Sequence, residues 1–598
     1  MIAVAPQRTI SHPASPEANA SFTKSIFLGE LREDLVFPFP TLSSDEAESL
    51  RAILDSFRAF AAEYIDSKSF DREGQFPPGF RYAFHDWGFM GLAIPVEYGG
   101  LGASTKVYSR VFAEIGAVDP ALCVYAGAHQ SIGCKGIILF GTEEQKQRYL
   151  PRCATGELVA AFCLTEPGSG SDAQAMKSTA VLSEDGSHYL LTGNKIWISN
   201  AGYADLFTVF AKVVETVAGV RKERVTAFIV DAHASGVTLG KREDKMGIKA
   251  SDTRAVYFDQ VRVPVEDRLG EVGQGFRIAL EILNSGRLGL AAASARGARQ
   301  IMREALTHAK QREQFGRSIG SFEMLQRKIA VNAAECYAID SAVMIAADMV
   351  DRGGVDYSLE TAVCKVFASE LAFRASNDAL QIAGGIGYSR EYPYEQAVRD
   401  SRINLIFEGT NEILRALIAL SGLQQPAEHL QAIGRAFKDP LHSAGALGHY
   451  LVGRAKRTIT WPHFSMVDPA LAKEAGLAAS LVHRLGLVVE RTILAHGKAL
   501  IDRQFIQERL ANAAIDIVLV SAVLSRTTSE IQRAGSEAAV HAEVDCARAF
   551  ISMAYRRVLR NLKGVEKNQD GRLAAIAKCA LSDGDLGPPP PSDNGSVV

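Results

Sequence analysis

The sequence predicts a mostly α-helical protein with one β domain set between helical blocks. Three observations carry this. Apolar residues recur at helical spacing from about Ser44 to Arg152; short β-rich runs replace them from about Ala160 to Leu269; and the helical period returns after Gly273-Gln274-Gly275. At 598 residues the chain has room for about three to five domains, and its 47% hydrophobic content excludes wholesale disorder.

In chain order, residues 1–20 read as a flexible leader and 21–155 as an N-terminal helical domain. Ser44 is the expected N-cap of a helix whose apolar face runs through Leu50, Ile53, Leu54 and Phe57. Residues 156–270 form the middle β domain, a barrel or sandwich. Its strands are expected at Tyr189–Thr192, Lys195–Ser199, Leu206–Lys212, Val225–Val230 and Ala255–Phe258. Residues 271–425 read as a helical bundle, with faces at Val363, Phe367 and Leu371 and at Ile413, Leu414, Leu417 and Ile418. Pro426, Pro440 and Trp461-Pro462 suggest a linker over 426–468. A C-terminal helical domain over 469–581 and a disordered tail over 582–598 complete the order.

Several function classes drop out. With 65 basic against 68 acidic residues there is no basic excess of the kind a nucleic-acid binder shows. There is no G-x-x-x-x-G-K-[ST], no H-E-x-x-H, no Ser elbow and no complete G-x-G-x-x-G after a strand; Gly385-Ile386-Gly387 comes nearest. Eight cysteines without C-x-x-C pairs read as reduced core residues, with no metal site. No run approaches the ~18 apolar residues of a membrane span.

Six stretches could carry chemistry. Phe162-Cys163-Leu164-Thr165-Glu166-Pro167-Gly168-Ser169-Gly170-Ser171-Asp172 enters the β region and ends in a Gly/Ser cluster whose amides suit a diphosphate, though by composition it is also an ordinary loop. Lys195-Ile196-Trp197-Ile198-Ser199-Asn200 pairs an indole with a hydroxyl, apt for a flat ring and its edge; alone, Trp197 reads as core. Asn284-Ser285-Gly286-Arg287 lies on the first long helix of the bundle, and Arg312-Glu313-Gln314-Phe315-Gly316 offers a planar guanidinium that is otherwise a solvated surface residue. Gln381 to Gly387 is a glycine-rich helix stop. In Ile403 to Glu412 a lone carboxylate, Glu408, follows an apolar run and precedes Gly409-Thr410 and a new helix. Loss of hydration there would raise its pKa and its strength as a base, whereas an N-terminal capping acid is the plainer reading of a single Glu.

Together with Lys245–Ser251 (KMGIKAS), these stretches resemble in order and spacing the acyl-CoA dehydrogenase family, from Ser21-Phe22 to about residue 580. The resemblance implies bound FAD, three domains and, in the long-chain branch, an extra C-terminal helical domain and a homodimer. It implies Glu408 as the catalytic base, with no carboxylate competing from the Asn284–Arg287 segment. Thr165 and Ser199 would bond the flavin edge and Trp197 would pack on the ring, with Phe162, Leu164, Gly170, Ser171 and Ile198 also at the cofactor. Arg312, Phe315, Gln381, Gly384 and Gly385 would reach the FAD of a partner subunit. Thr410, Asn411 and Glu412 would also contact cofactor; Ser171, Asn284, Arg287, Phe407 and Gly409 would contact substrate, Asn284 and Arg287 at its CoA end. The implied reaction removes the α-proton of an acyl-CoA and passes a β-hydride to flavin N5, giving a trans-2-enoyl-CoA in fatty acid β-oxidation. Electron-transferring flavoprotein is then the acceptor.

An acyl-CoA oxidase and an assembly scaffold are the rival readings on the same architecture. The first twenty residues show neither a secretory h-region nor an Arg-rich transit pattern, so the cytoplasm is the expected compartment. Arg454, Lys456, Arg457, Trp461 and Phe464 leave open a weak peripheral membrane contact, against a solvated loop.

Overall fold

A computed structural model describes residues 20–217, 220–438 and 461–586. The leader up to residue 19, the linker over 439–460 with Arg454, Lys456 and Arg457, and the tail from residue 587 lie outside the described residues.

The N-terminal domain is helical as expected. Its first long helix, Ser44–Tyr64, is capped one residue earlier than predicted: the Ser43 hydroxyl accepts from the Glu46 amide while the Glu46 carboxylate accepts from the Ser43 amide. The core is aromatic. Phe60 packs edge-on to Phe84 and Phe89, and Phe70 edge-on to Phe80, an arrangement that suits ring quadrupoles.

The β domain is one eight-stranded sheet in the order β6-β7-β3-β2-β4-β5-β8, with β1 also paired to β4. Its strands are β1 (Ala160–Cys163), β2 (Thr179–Leu182), β3 (His188–Ser199), β4 (Leu206–Val217), β5 (Val220–Asp231), β6 (Val237–Arg242), β7 (Thr253–Pro264) and β8 (Arg268–Leu269). Two predicted runs are halves of β3. The gap between them coincides with a register shift against β7 from Leu191 to Gly193, and a second shift from Lys195 to Ile198 re-aims the chain at Trp197. One face buries Leu191, Phe207, Val209, Phe228 and Val256. The other buries Ala160, Leu206, Phe210 and Ile229 against Ile278 and Ile282 of the next helix.

That helix, Gly275–Gln311, begins the bundle, followed by Glu323–Arg352, Ser358–Ala383, Tyr394–Arg402 and Asn411–Lys438. The last runs straight through Pro426, so the expected linker starts too early. The C-terminal helices Ala472–His496, Gln504–Ala534 and His541–Glu566 share one continuous core with the bundle, while Asp570–Asp583 lies exposed outside it. The short helix Phe22–Phe27 belongs there too, not with the N-terminal domain. Ser21 Oγ and the Thr23 amide both donate to Glu360 Oε1 at 2.9 Å, and Phe27 fills the space beside Gly422. Glu323–Arg352 and Gln504–Ala534 are long and apolar enough to cross a membrane, but 72% and 89% of their apolar windows are buried inside the protein, as in core helices. Phe464 packs near Phe37 at the edge of the core, whereas Trp461 stacks on His483 and stays 52% exposed.

Candidate active site

Glu408 lies in the turn between Ile403–Leu405 and the Asn411–Lys438 helix, and both it (φ 59°) and Gly409 (φ 89°) are left-handed. For a non-glycine residue this costs on the order of 1–2 kcal/mol, so surrounding contacts must hold it. Two buried cations do. Arg287 Nε donates to the Glu408 carbonyl (3.2 Å), and Lys365 Nζ donates to the Gly409 carbonyl (2.8 Å). Asn284 Oδ1 accepts from Arg287 Nη1 (3.0 Å) and fixes the guanidinium. Arg287 is therefore bound to the Glu408 turn and Asn284 to Arg287, and the two residues are 4% and 5% exposed.

Part of Glu408 is open, but its Oε2 is shut away from solvent with no hydrogen-bond partner. Its amide N–H also lacks an acceptor among the described residues. Burial pushes the carboxyl up to about 7, against the opposing pull of the Arg287 and Lys365 charges. The carboxylate reaches this position because residue 286 is glycine: a Cβ there would sit 2.8 Å from Glu408 Oε2. We expect Gly286→Ala to displace this carboxylate and lower kcat/KM about 10- to 100-fold, with Tm changed by only a few degrees. Parallel steady-state kinetics and thermal melts check this.

The Asn411 side chain is not open to a cofactor. It is 1% exposed, and its Oδ1 accepts from Lys365 Nζ while its Nδ2 donates to Ser369 Oγ and Glu370 Oε1. Thr410 caps the helix through its Oγ1, which accepts from the Ile413 amide; Glu412 is exposed, and Phe407 and Gly409 are half-buried.

The second half of the site lies on the β domain. Phe162 and Leu164 pack in the same cluster as Ile278 and Ile282, on the helix that carries Asn284 and Arg287 within about one and a half turns of Ile282, so the two halves adjoin. The Ile196 amide donates to the Thr165 carbonyl (2.9 Å), joining the Gly/Ser loop to β3. The register shift leaves Trp197 at φ 60° and 59% exposed beside the half-buried Thr165 and Ser199. Gly170 and Ser171 are exposed, and a Cβ on Gly168 or Gly170 would meet nothing within 4 Å. Ile198 is an exception: its side chain is 2% exposed inside the sheet core. Beneath the loop, Glu166 and Lys195 form a buried ion pair at 2.7 Å.

Arg312 and Phe315 lie far off. At 1.5 Å per residue Arg312 is ~37 Å along the Gly275–Gln311 helix from Arg287. Phe315 is 93% exposed at φ 53°, and Gln381, Gly384 and Gly385 are exposed at the end of Ser358–Ala383. These residues do not join this chain's own site.

Lys365 is the residue that sequence reasoning missed. Its signal was a lone ammonium inside the apolar run Val363-Cys364-Lys365-Val366-Phe367.

An unpartnered buried carboxylate oxygen, a half-exposed indole on a strained strand residue and an open Gly/Ser loop fit a flat redox cofactor with a diphosphate. Fold and site thus define a flavin-dependent dehydrogenase with an added helical block. Family models for the acyl-CoA dehydrogenase N-terminal, middle and C-terminal domains match residues 47–157, 161–261 and 273–423, and the model "ACAD9/ACADV, C-terminal domain" matches 469–586. The chain is 42% identical over 556 residues to the very long-chain specific acyl-CoA dehydrogenase, mitochondrial, of Bos taurus, covering 92% of this chain and 84% of that one. An acyl-CoA dehydrogenase from Bacillus anthracis complexed with FAD superposes with TM-score 0.79 and 30% identity over 94% of this chain and 95% of its own. Butyryl-CoA dehydrogenase from Megasphaera elsdenii, at TM-score 0.60 and 34% identity, is matched over 100% of its length but only 64% of this chain. The chain belongs to the acyl-CoA dehydrogenase family.

Proposed function

We propose that the chain catalyses FAD-dependent α,β-dehydrogenation of long-chain acyl-CoA to trans-2-enoyl-CoA, with Glu408 as the base. The observation that carries this is the Glu408 carboxylate, withdrawn from water above Gly286 with Oε2 unpartnered.

FAD, when bound, supplies the two-electron oxidant. Thr165, Ser199, Trp197, Gly170 and Ser171 would hold it, with the Trp197 ring against its flat face. Glu408 accepts the α-proton at its carboxylate. Its free amide N–H is available to the thioester oxygen, stabilising negative charge as the proton leaves. A carboxyl near 7 is a stronger base than an ordinary carboxylate yet still ionised above neutrality. Arg287 and Asn284 keep the turn in register, and Phe407 and Gly409 flank the acyl group. Arg312, Phe315 and the Gln381–Gly385 segment are read as contacts to the FAD of a partner subunit. Their exposure and remoteness from Glu408 support that reading and a homodimer.

The shared C-terminal block and the Bos taurus relative support a long-chain substrate; the proposed acceptor is electron-transferring flavoprotein. The cytoplasm remains the proposed compartment, although that relative is named mitochondrial.

The test is anaerobic dye reduction by the flavinated protein with an acyl-CoA chain-length series, alongside peroxide measurement in air. Dye reduction rising with chain length supports the reading; stoichiometric peroxide would make it an oxidase, and a flavin-free protein holding a stoichiometric partner a scaffold. Because the base must be ionised, kcat/KM should rise with pH through about 7 and then level. A profile flat from pH 5.5 to 8.5 would count against Glu408.

A further inference from the structure

The turn that carries Glu408 is held by its carbonyls. Arg287 takes the carbonyl of Glu408 from one helix and Lys365 takes that of Gly409 from another, so two successive left-handed residues are each pinned by a buried cation. Lys365 is wholly buried, and its other acceptor is Asn411 Oδ1 at 2.8 Å, the first residue of the following helix. Neither cation bonds the Glu408 carboxylate, so both act on it through space.

We propose that Lys365 is a positioning residue for the base: it locks the Glu408-Gly409 turn through the Gly409 carbonyl and Asn411, and its charge favours the carboxylate form of Glu408. This rests on the reading of Glu408 as the base. The charged groups facing Lys365 are Glu408 on the turn, Arg287 on the Gly275–Gln311 helix, Glu370 on its own helix and Glu412 on the Asn411–Lys438 helix. The carboxylates favour its ammonium form and Arg287 opposes it, while burial pushes it down to about 7. Lys365 and Glu408 therefore exchange charge over the same range, and each ion stabilises the other.

Two variants separate the roles. Lys365→Gln is neutral but retains donors for the turn; Lys365→Met loses both charge and donors. In the flavinated enzyme, Lys365→Gln should move the acidic limb of kcat/KM up by about one pH unit, since one unlike charge is lost from the carboxylate's surroundings. Its alkaline plateau should fall less than tenfold. Lys365→Met should show the same shift and a plateau lower by ~100-fold, as a misplaced base does. Infrared titration of the carboxyl, taken as the difference between each protein and its Glu408→Gln counterpart, reads the same shift without turnover. If Lys365→Met does not fold, Lys365→Gln alone decides.

A limb and an infrared midpoint unmoved in Lys365→Gln would overturn the proposal. Full turnover in Glu408→Gln would instead overturn the reading of the base. The two failures are therefore distinguishable.

Discussion

Glu408→Gln is expected to lower kcat by ~10⁴-fold, the upper end of what a positioned base supplies, while the protein keeps its FAD. The change is nearly isosteric, and Oε2 has no hydrogen bond to lose, so the fold should tolerate it. Stability gives an independent readout. The folded-state carboxyl is raised from the ordinary value of 4.5 to about 7, so the folded protein binds the proton more tightly than the unfolded chain does. That contribution is fully present below the unfolded value and is lost as pH rises through about 7. Gln carries no such proton. Relative to the parent, Glu408→Gln should therefore gain Tm as pH rises from 5, with most of the change complete by about pH 7 and little beyond it. Unfolding curves at several pH values, with turnover and the flavin absorbance ratio measured on the same preparations, check all three expectations. A variant that turns over normally would show that this carboxylate is not the base, and a Tm difference that is flat with pH would show that it is not buried as its surroundings indicate.

The sequence carried the domain order, and it singled out Glu408 as a candidate, because both signals are local. A switch of period from helix to strand shows in any short window, and Glu408 stands out as the lone carboxylate after Ile403-Asn404-Leu405-Ile406-Phe407. What escaped depends on packing between distant segments. Lys365 becomes a partner of the turn only when the Ser358–Ala383 helix is laid beside it. Pro426 reads as a breaker, yet the Asn411–Lys438 helix continues through it because tertiary packing overrides local preference. Phe22–Phe27 precedes the N-terminal domain in sequence but is drawn into the C-terminal core by Glu360 and by the space at Gly422. Trp197 and Ile198 are adjacent and so point to opposite sides of β3, but which of the two is buried depends on the pairing register with β7. Asn411 matched a motif, but a motif cannot show that its side chain is already occupied by Lys365, Ser369 and Glu370.

The ion pair beneath the Gly/Ser loop should give the largest stability effect. Lys195 is completely buried and Glu166 nearly so. Glu166 Oε1 accepts from Lys195 Nζ at 2.7 Å and from the Ser178 amide and hydroxyl, while its Oε2 accepts from the Lys177 amide. Burial opposes the Glu166 charge, but these donors outweigh it and hold the carboxyl below its usual range. Lys195 also donates to the Leu164 carbonyl, so one ammonium ties β3 to both ends of Leu164-Thr165-Glu166. Lys195→Met fills similar space but leaves a buried carboxylate without its counter-ion, a loss of about 3–5 kcal/mol. Because Thr165 and the Gly168–Ser171 loop hang from this pair, FAD occupancy should fall with stability, unlike in Glu408→Gln. Adding Glu166→Gln removes the stranded charge and should recover part of the loss, and the double-mutant cycle isolates the pair from the packing. A folded-state pKa lowered by its donors means that this stabilisation is present above the unfolded value and fades as pH falls below it. The Lys195→Met deficit in urea unfolding should therefore persist from pH 6 to 8. A loss under 1 kcal/mol with full flavin content would show that the loop is held by its backbone bonds alone.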